Sequence, residues 1–152
     1  DAALDSFGQI VEKATESFDQ LRQAKKTIKL VNSQMVNAPD STKKDIKKLG
    51  AALQDSLDNL MELYMMPEGL KGIQRTSENL TSSIWQARSY ISASDGAPNQ
   101  MAQFSLTKVR KEATETFEKV NAFFENDWKD YQAEVEAARA SLFEEVKVIR
   151  LE

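Results

Sequence analysis

A chain of 152 residues, 41% hydrophobic and 29% charged, is long enough to bury one sizeable core and too apolar for a disordered tail. Five Gly and three Pro are too few breakers for an all-β domain, and 24 acids against 20 Lys and Arg leave a formal charge of −4. With no Cys and no His, disulfides, thiol nucleophiles, zinc and haem ligation by His, and imidazole acid–base relays are excluded by inventory.

The first apolar stripe steps by three and four through Leu4, Phe7, Val11, Ala14, Phe18, Leu21, Ile28 and Met35, with Lys25 and Asn32 at the two skipped positions. It predicts a helix of about 35 residues that stops near Asn37, because Pro39 disfavours a helical residue before it; Asp40, Ser41 or Thr42 can cap the second helix. A second stripe, Ile46, Leu49, Leu53, Leu57, Leu60 and Tyr64, ends at Pro67 and Gly69. Leu70 and Ile73 are in register with Leu80, Ile84, Ala87 and Ile91, but Gly69, Gly72 and Thr76-Ser77 weaken this opening, so the third helix is expected to start near Thr76. Asp95-Gly96 and Pro98 mark the next break, with Asn99 as a cap. The fourth stripe runs unbroken from Leu106 through Val109, Ala113, Phe117, Val120, Phe124, Trp128 and Tyr131 to Val135, Ala138, Leu142, Val146 and Ile149.

Four helices joined by short connections predict an all-α, antiparallel up-down-up-down four-helix bundle forming a single domain over residues 1–152, with long first and last helices. The surplus length of those two helices is expected to form a two-helix stalk, with Leu4, Phe7 and Val11 against Leu142, Val146 and Ile149. No apolar run reaches the length of a bilayer span. The start at Asp1, with neither Met nor a basic and apolar leader, reads as a boundary inside a larger protein.

No phosphate-binding glycine loop or nucleophile elbow is present, and Glu125, Asp130, Glu134, Glu136, Glu144 and Glu145 fall off the fourth stripe, where a solvated face is their ordinary place. Catalytic residues, metal ligands and cofactors are therefore not expected. Asn79-Leu80-Thr81 matches a glycosylation acceptor. Phe124, Trp128 and Tyr131 share a face and fall level with Tyr64, Met65 and Met66 as an expected core plug, whereas Trp85 and Phe123 lie one step off their stripes and are candidates for partner contact.

The charges are unevenly spread. Residues 22–50 and 88–111, which the up-down-up-down path places at one pole, hold twelve of the twenty Lys and Arg and only Asp40, Asp45 and Asp95 among acids, a balance of +9 against −13 for the remainder. Lys25, Lys26, Lys29, Lys43, Lys44, Lys47, Lys48, Lys108, Arg110 and Lys111 form the candidate surface for an anionic partner: an acidic protein, a glycan or a lipid surface. Nucleic acid is disfavoured because no aromatic residues interleave the lysines as stacking platforms.

Two segments are less generic than a heptad: Pro67-Glu68-Gly69-Leu70-Lys71-Gly72-Ile73-Gln74-Arg75 with Asn79-Leu80, and Val120-Asn121-Ala122-Phe123-Phe124-Glu125-Asn126-Asp127-Trp128 with Tyr131 and Ser141-Leu142-Phe143. Together they resemble the helical C-terminal region of large exported bacterial proteins with sortilin-type, BNR-repeat β-propellers, often labelled glycosyl-hydrolase-like. The resemblance implies a propeller ahead of Asp1 that carries any recognition or hydrolase activity, a periplasmic or extracellular location, and a non-catalytic accessory or interaction role for this chain beside that preceding domain. The Asp-box motifs of such propellers are absent, so no family site transfers to these residues. The alternative expectation is a periplasmic four-helix-bundle sensor domain of a chemoreceptor or histidine kinase.

Overall fold

The computed structural model describes residues 2–65, 79–93, 100–140, 142–143 and 146–152. It contains α1 (Ala2–Gln34), α2 (Asp40–Glu62), α3 (Leu80–Ala93), α4 (Gln100–Glu125) and α5 (Asp127–Ala140), with no strand among the described residues. Because α4 and α5 are one rod interrupted at Asn126, the chain is an all-α bundle of four helices with a long first and last member, the class the periodicity predicts.

In α1 the buried face is Phe7, Ile10, Ala14, Leu21, Ala24, Ile28 and Val31, continued by Met35 in the turn after it. The two polar positions in its stripe sit on the flank toward α2, where the Lys25 ammonium donates to Asp58 and its carbonyl accepts from Gln54 Nε2 at 3.5 Å. The chain turns over residues 35–39, with the Ala38 N–H on the Met35 carbonyl at 3.0 Å. Pro39, rather than Asp40, Ser41 or Thr42, is the cap residue of α2: its carbonyl accepts the Lys43 N–H at 2.9 Å, and no side-chain cap bond forms. Asp40 falls inside the first turn, where a carboxylate favours the helix dipole.

The junction of α2 and α3 decides the topology. Helix starts leave N–H groups unpaired and helix ends leave carbonyls unpaired. Here each supplies the other: the Leu80 N–H donates to the Leu63 carbonyl and the Thr81 N–H to the Tyr64 carbonyl, both at 2.9 Å. The next two donors of α3 are taken by Asn79, the Ser82 N–H by Oδ1 at 2.9 Å and the Ser83 N–H by the carbonyl at 3.1 Å. Asn79 is thus the N-cap of α3, and it is buried. Burial withdraws this side chain from the solvent in which a glycan would have to attach. Asn79→Ala is expected to cost about 1 kcal/mol in urea unfolding, with Asn79→Asp or Asn79→Ser retaining most of that stability.

Cross-chain pairs give the directions. Lys25 with Asp58 and Ser17 with Tyr64 make α1 and α2 antiparallel, while Arg110 with Ser6 and Arg139 with Gln34 make α4–α5 parallel to α1. α3 starts beside Leu63 and Tyr64 and carries Arg88 to the ring of Phe7, so it runs on in the direction of α2, toward the start of α1. Lengths agree with this path. At helical rise, α1 (33 residues) spans about 50 Å, α2 and α3 in succession (23 and 14) about 55 Å, and α4 and α5 (26 and 14) about 60 Å. The α1–α2 and α3–α4 passages reverse the chain as expected; the α2–α3 passage does not. The expected break at 67–76 and that at 93–99, with Asn99 as a cap, lie outside the described residues except for Ala93, which is the last residue of α3.

Among the described residues the stalk is accordingly absent. Leu4, Phe7 and Val11 lie at the pole of Arg110, and α5 ends at the opposite pole beside Gln34. Leu142, Val146 and Ile149 are exposed, and residues 146–152 are not helical. Their stripe is in helical register, but α1 ends level with Arg139, which leaves no part of α1 alongside them among the described residues.

The interruption at Asn126 is not legible as a gap in the stripe. Its Nδ2 and its backbone N–H both donate to the Ala122 carbonyl, at 2.8 and 3.1 Å, while its own carbonyl accepts the Asp130 N–H at 3.0 Å. Side chain and backbone compete for one acceptor. The buried face shifts across this point: in α4 it is Ala102, Ser105, Val109, Ala113, Thr116, Val120 and Phe123, and in α5 it is Tyr131, Val135 and Ala138. Phe123, expected off the stripe, is therefore a core residue, and Phe124 and Trp128 are only half-buried. The expected plug is likewise divided: Tyr64 stacks on Phe18 with ring centroids 5.4 Å apart, whereas Tyr131 points toward Gly50 in the middle of α2.

Candidate functional site

The ten basic residues of the expected anionic-partner surface do not share a pole. Lys26, Lys29, Lys43, Lys44, Lys47 and Lys48 are exposed around the α1–α2 turn, and Lys25 nearby is bridged to Asp58. Lys108, Arg110 and Lys111 lie at the other end, with Arg110 on Ser6 Oγ and Lys108 facing Glu112 at 4.0 Å. Some 23 residues of α1 separate Ser6 from Lys29, about 35 Å at helical rise. The +9 pole dissolves because α4 runs parallel to α1. At the far end Arg88 stacks on exposed Trp85 (5.5 Å to the ring centroid) and reaches Phe7 (5.7 Å), so Trp85, off its stripe as expected, is held by its own helix.

A long, partly apolar concave feature lies elsewhere, between α1 and the α4–α5 rod. α1 packs on α2 and α4, and α5 packs on α2, but α1 and α5 barely approach. The result is a groove in two connected stretches that share Thr27 and Trp128. One wall is Gln20, Ala24, Thr27 and Val31; the other is Phe124, Trp128, Tyr131 and Val135. Both walls have the same four-three-four spacing, offset by 104 residues, as two parallel helices in register require. From Glu16 to the Arg139–Gln34 pair the groove extends about 27 Å.

Ring contacts hold the aromatic wall: Phe124 to Trp128 at 5.9 Å edge-on and Trp128 to Tyr131 at 5.6 Å tilted, with buried Phe123 behind at 5.2 Å from Phe124. Burial raises the Tyr131 phenol above its ordinary range, so it stays neutral at physiological pH. The rim is acidic. Glu16, Asp19, Glu125 and Glu136 line it, against Arg139 at one end, whose guanidinium is engaged by Gln34. Glu16 and Asp19 pair with neighbours on their own helix, Lys13 at 3.3 Å and Arg22 at 3.5 Å, and such exposed pairs are weak and readily exchanged.

Sequence pattern alone does not reveal the groove, although it reveals the parts: periodicity assigns the aromatic face to the core and the carboxylates to a solvated face. What joins them is the parallel course of α1 and α5. Among the described residues no group of three or more His, Cys, Asp or Glu is placed to hold a metal ion, and no helix is long and apolar enough to cross a membrane. Compared with known proteins, the chain matches no family model, no curated protein and no solved structure.

Proposed function

We propose that the chain is a non-catalytic helical interaction module of a larger exported bacterial protein, of the BNR-repeat kind that its two distinctive segments resemble, and that it holds its partner along the groove between α1 and α4–α5. The observation that carries this reading is the groove itself: two parallel rails in matching register, with the half-buried rings of Phe124 and Trp128 left partly uncovered between them. The preceding domain of the same polypeptide is the first partner to test. The absence of His and Cys from the sequence supports a binding role over a catalytic one. A membrane-proximal sensor needs its first and last helices to enter one membrane from the same pole; the start of α1 and the end of α5 lie at opposite poles, which favours the accessory reading.

A photo-crosslinking residue placed at Gln20, on one wall, or at Gln132, which lines the groove beside Tyr131 on the other side, should give a discrete adduct in the intact parent protein in its own cell. The same residue at Gln86, on the exposed side of α3, should give none. Adducts from Gln86 alone, or none from the groove positions, would remove the groove from the function.

A further inference from the structure

Resting on the reading of this groove as an interaction site, we infer that its occupant is a cationic amphipathic helix that lies along α1 and α4–α5 as an additional rod. Three observations converge. The walls repeat at positions 20, 24, 27 and 31 and at 124, 128, 131 and 135, the spacing that accepts the side chains of a third helix lying between them. An extended strand would instead need an unpaired backbone edge, and helical walls present none.

Length sets the second condition. A groove of about 27 Å matches about 18 residues of helix, roughly five turns, so a single short amphipathic segment covers it end to end. Small side chains at Ala24 and Thr27 leave room opposite Trp128 for a large apolar anchor from the occupant.

Charge decides the sign. Glu16 and Asp19 border one wall, Glu125 and Glu136 the other, and the cation of the lining, Arg139, sits at the end with Gln34 already bonded to it. Lys or Arg on the flanks of a docked helix would meet a carboxylate on either side, and near Phe124 and Trp128 also an aromatic face. An acidic helix of identical apolar face would meet like charges along the same length.

The test uses two synthetic peptides of about 18 residues with one shared Leu face, one with Lys and the other with Glu on its polar face. Binding is read from Trp128 emission in a Trp85→Phe chain, which leaves Trp128 as its one tryptophan. The Lys peptide should bind at least about tenfold more tightly than the Glu peptide at low salt, with the gap narrowing as salt is added. Glu125→Lys with Glu136→Lys should reverse the preference, while Asp55→Lys with Glu62→Lys, on exposed positions of α2, should leave it unchanged, all variants being checked for helicity. Equal binding, a preference that tracks net charge regardless of position, or a concentration-dependent dimer abolished by the groove substitutions would overturn the inference; the last would make the occupant a second copy. Groove adducts in the crosslinking experiment without any Lys preference would sink this inference alone and leave the interaction reading standing.

Discussion

Tyr64→Ala is expected to lower stability by about 3–5 kcal/mol, the range for truncating a buried aromatic residue. Tyr64 is 3% exposed, its ring lies on Phe18, and its hydroxyl shares a 2.6 Å hydrogen bond with Ser17 Oγ. Its backbone carbonyl also accepts the Thr81 N–H at the α2–α3 junction. One residue therefore ties α1 to α2 and seats α3, and α3 should lose hydrogen-exchange protection ahead of α2 in the variant. Tyr64→Phe should cost only about 1 kcal/mol, because Ser17 keeps its bond to the Ala14 carbonyl. The phenol adds a pH signature. Desolvation raises it above 10.0, partly opposed by the Ser17 bond, and burial raises Tyr131 in the same direction. A folded value above the unfolded one means the contribution is complete below about pH 10 and is lost as pH climbs through the raised value. The double variant Tyr64→Phe, Tyr131→Phe should thus lose less stability between about pH 9 and 11 than the parent. An equal loss in both proteins would show that these two phenols do not govern alkaline unfolding.

Periodicity identifies which residues face inward far better than it identifies which way the chain runs. Phe7, Ala14, Leu21, Ile28, Ile46, Leu53, Leu57, Leu80, Ala87 and Val109 are buried where their stripes put them, because 3.6-residue spacing is a property of the helix itself. Breaker clusters mark where helices stop, and they carry no direction. Pro67 and Gly69 are as compatible with a straight passage as with a reversing turn. Direction is decided instead by the pairing of helix-end backbone groups, the Leu63 and Tyr64 carbonyls with the Leu80 and Thr81 N–H groups, which no side-chain pattern encodes.

That single difference propagates. With α2 and α3 running the same way, α4 becomes parallel to α1, the stalk vanishes, the lysines divide between two poles, and a groove opens that an up-down-up-down path does not create. Asn126-Asp127 is the one local signal of the interruption that the sequence does carry, since cap-forming residues inside an apolar stripe mark a break. Leu49 and Gly50 show the finer limit: Leu49, expected inside, is 40% exposed, and the neighbouring glycine takes the buried place. Hydrophobicity favours the larger residue, but the approach of α1 leaves room only for the smaller.

Gly50 therefore carries the second large expected effect. A Cβ there would come within 2.9 Å of Ile28 Cγ2, closer than real Cβ contacts allow, with Tyr131 Oη at 3.7 Å and Asn32 Oδ1 at 3.8 Å. Gly50→Ala should destabilise the chain by about 1–3 kcal/mol through overpacking, although alanine is the better helix former. Ile28 is 1% exposed, so Ile28→Ala alone should cost about 2–5 kcal/mol by leaving a cavity. The two changes answer one another: the cavity removes the atom that the new methyl group strikes, and the methyl group fills part of the cavity. The double variant should accordingly be more stable than the sum of the single effects implies, by about 1 kcal/mol or more, as residues in direct contact allow. Among the described residues the neighbouring Tyr131 hydroxyl and Asn32 Oδ1 are buried without hydrogen-bond partners, so this layer has little surplus stability with which to absorb a shift of α1 against α2. Strict additivity in urea unfolding would mean that α1 and α2 do not meet through Gly50 and Ile28, and with that contact the register of the whole groove wall on α1 would have to move.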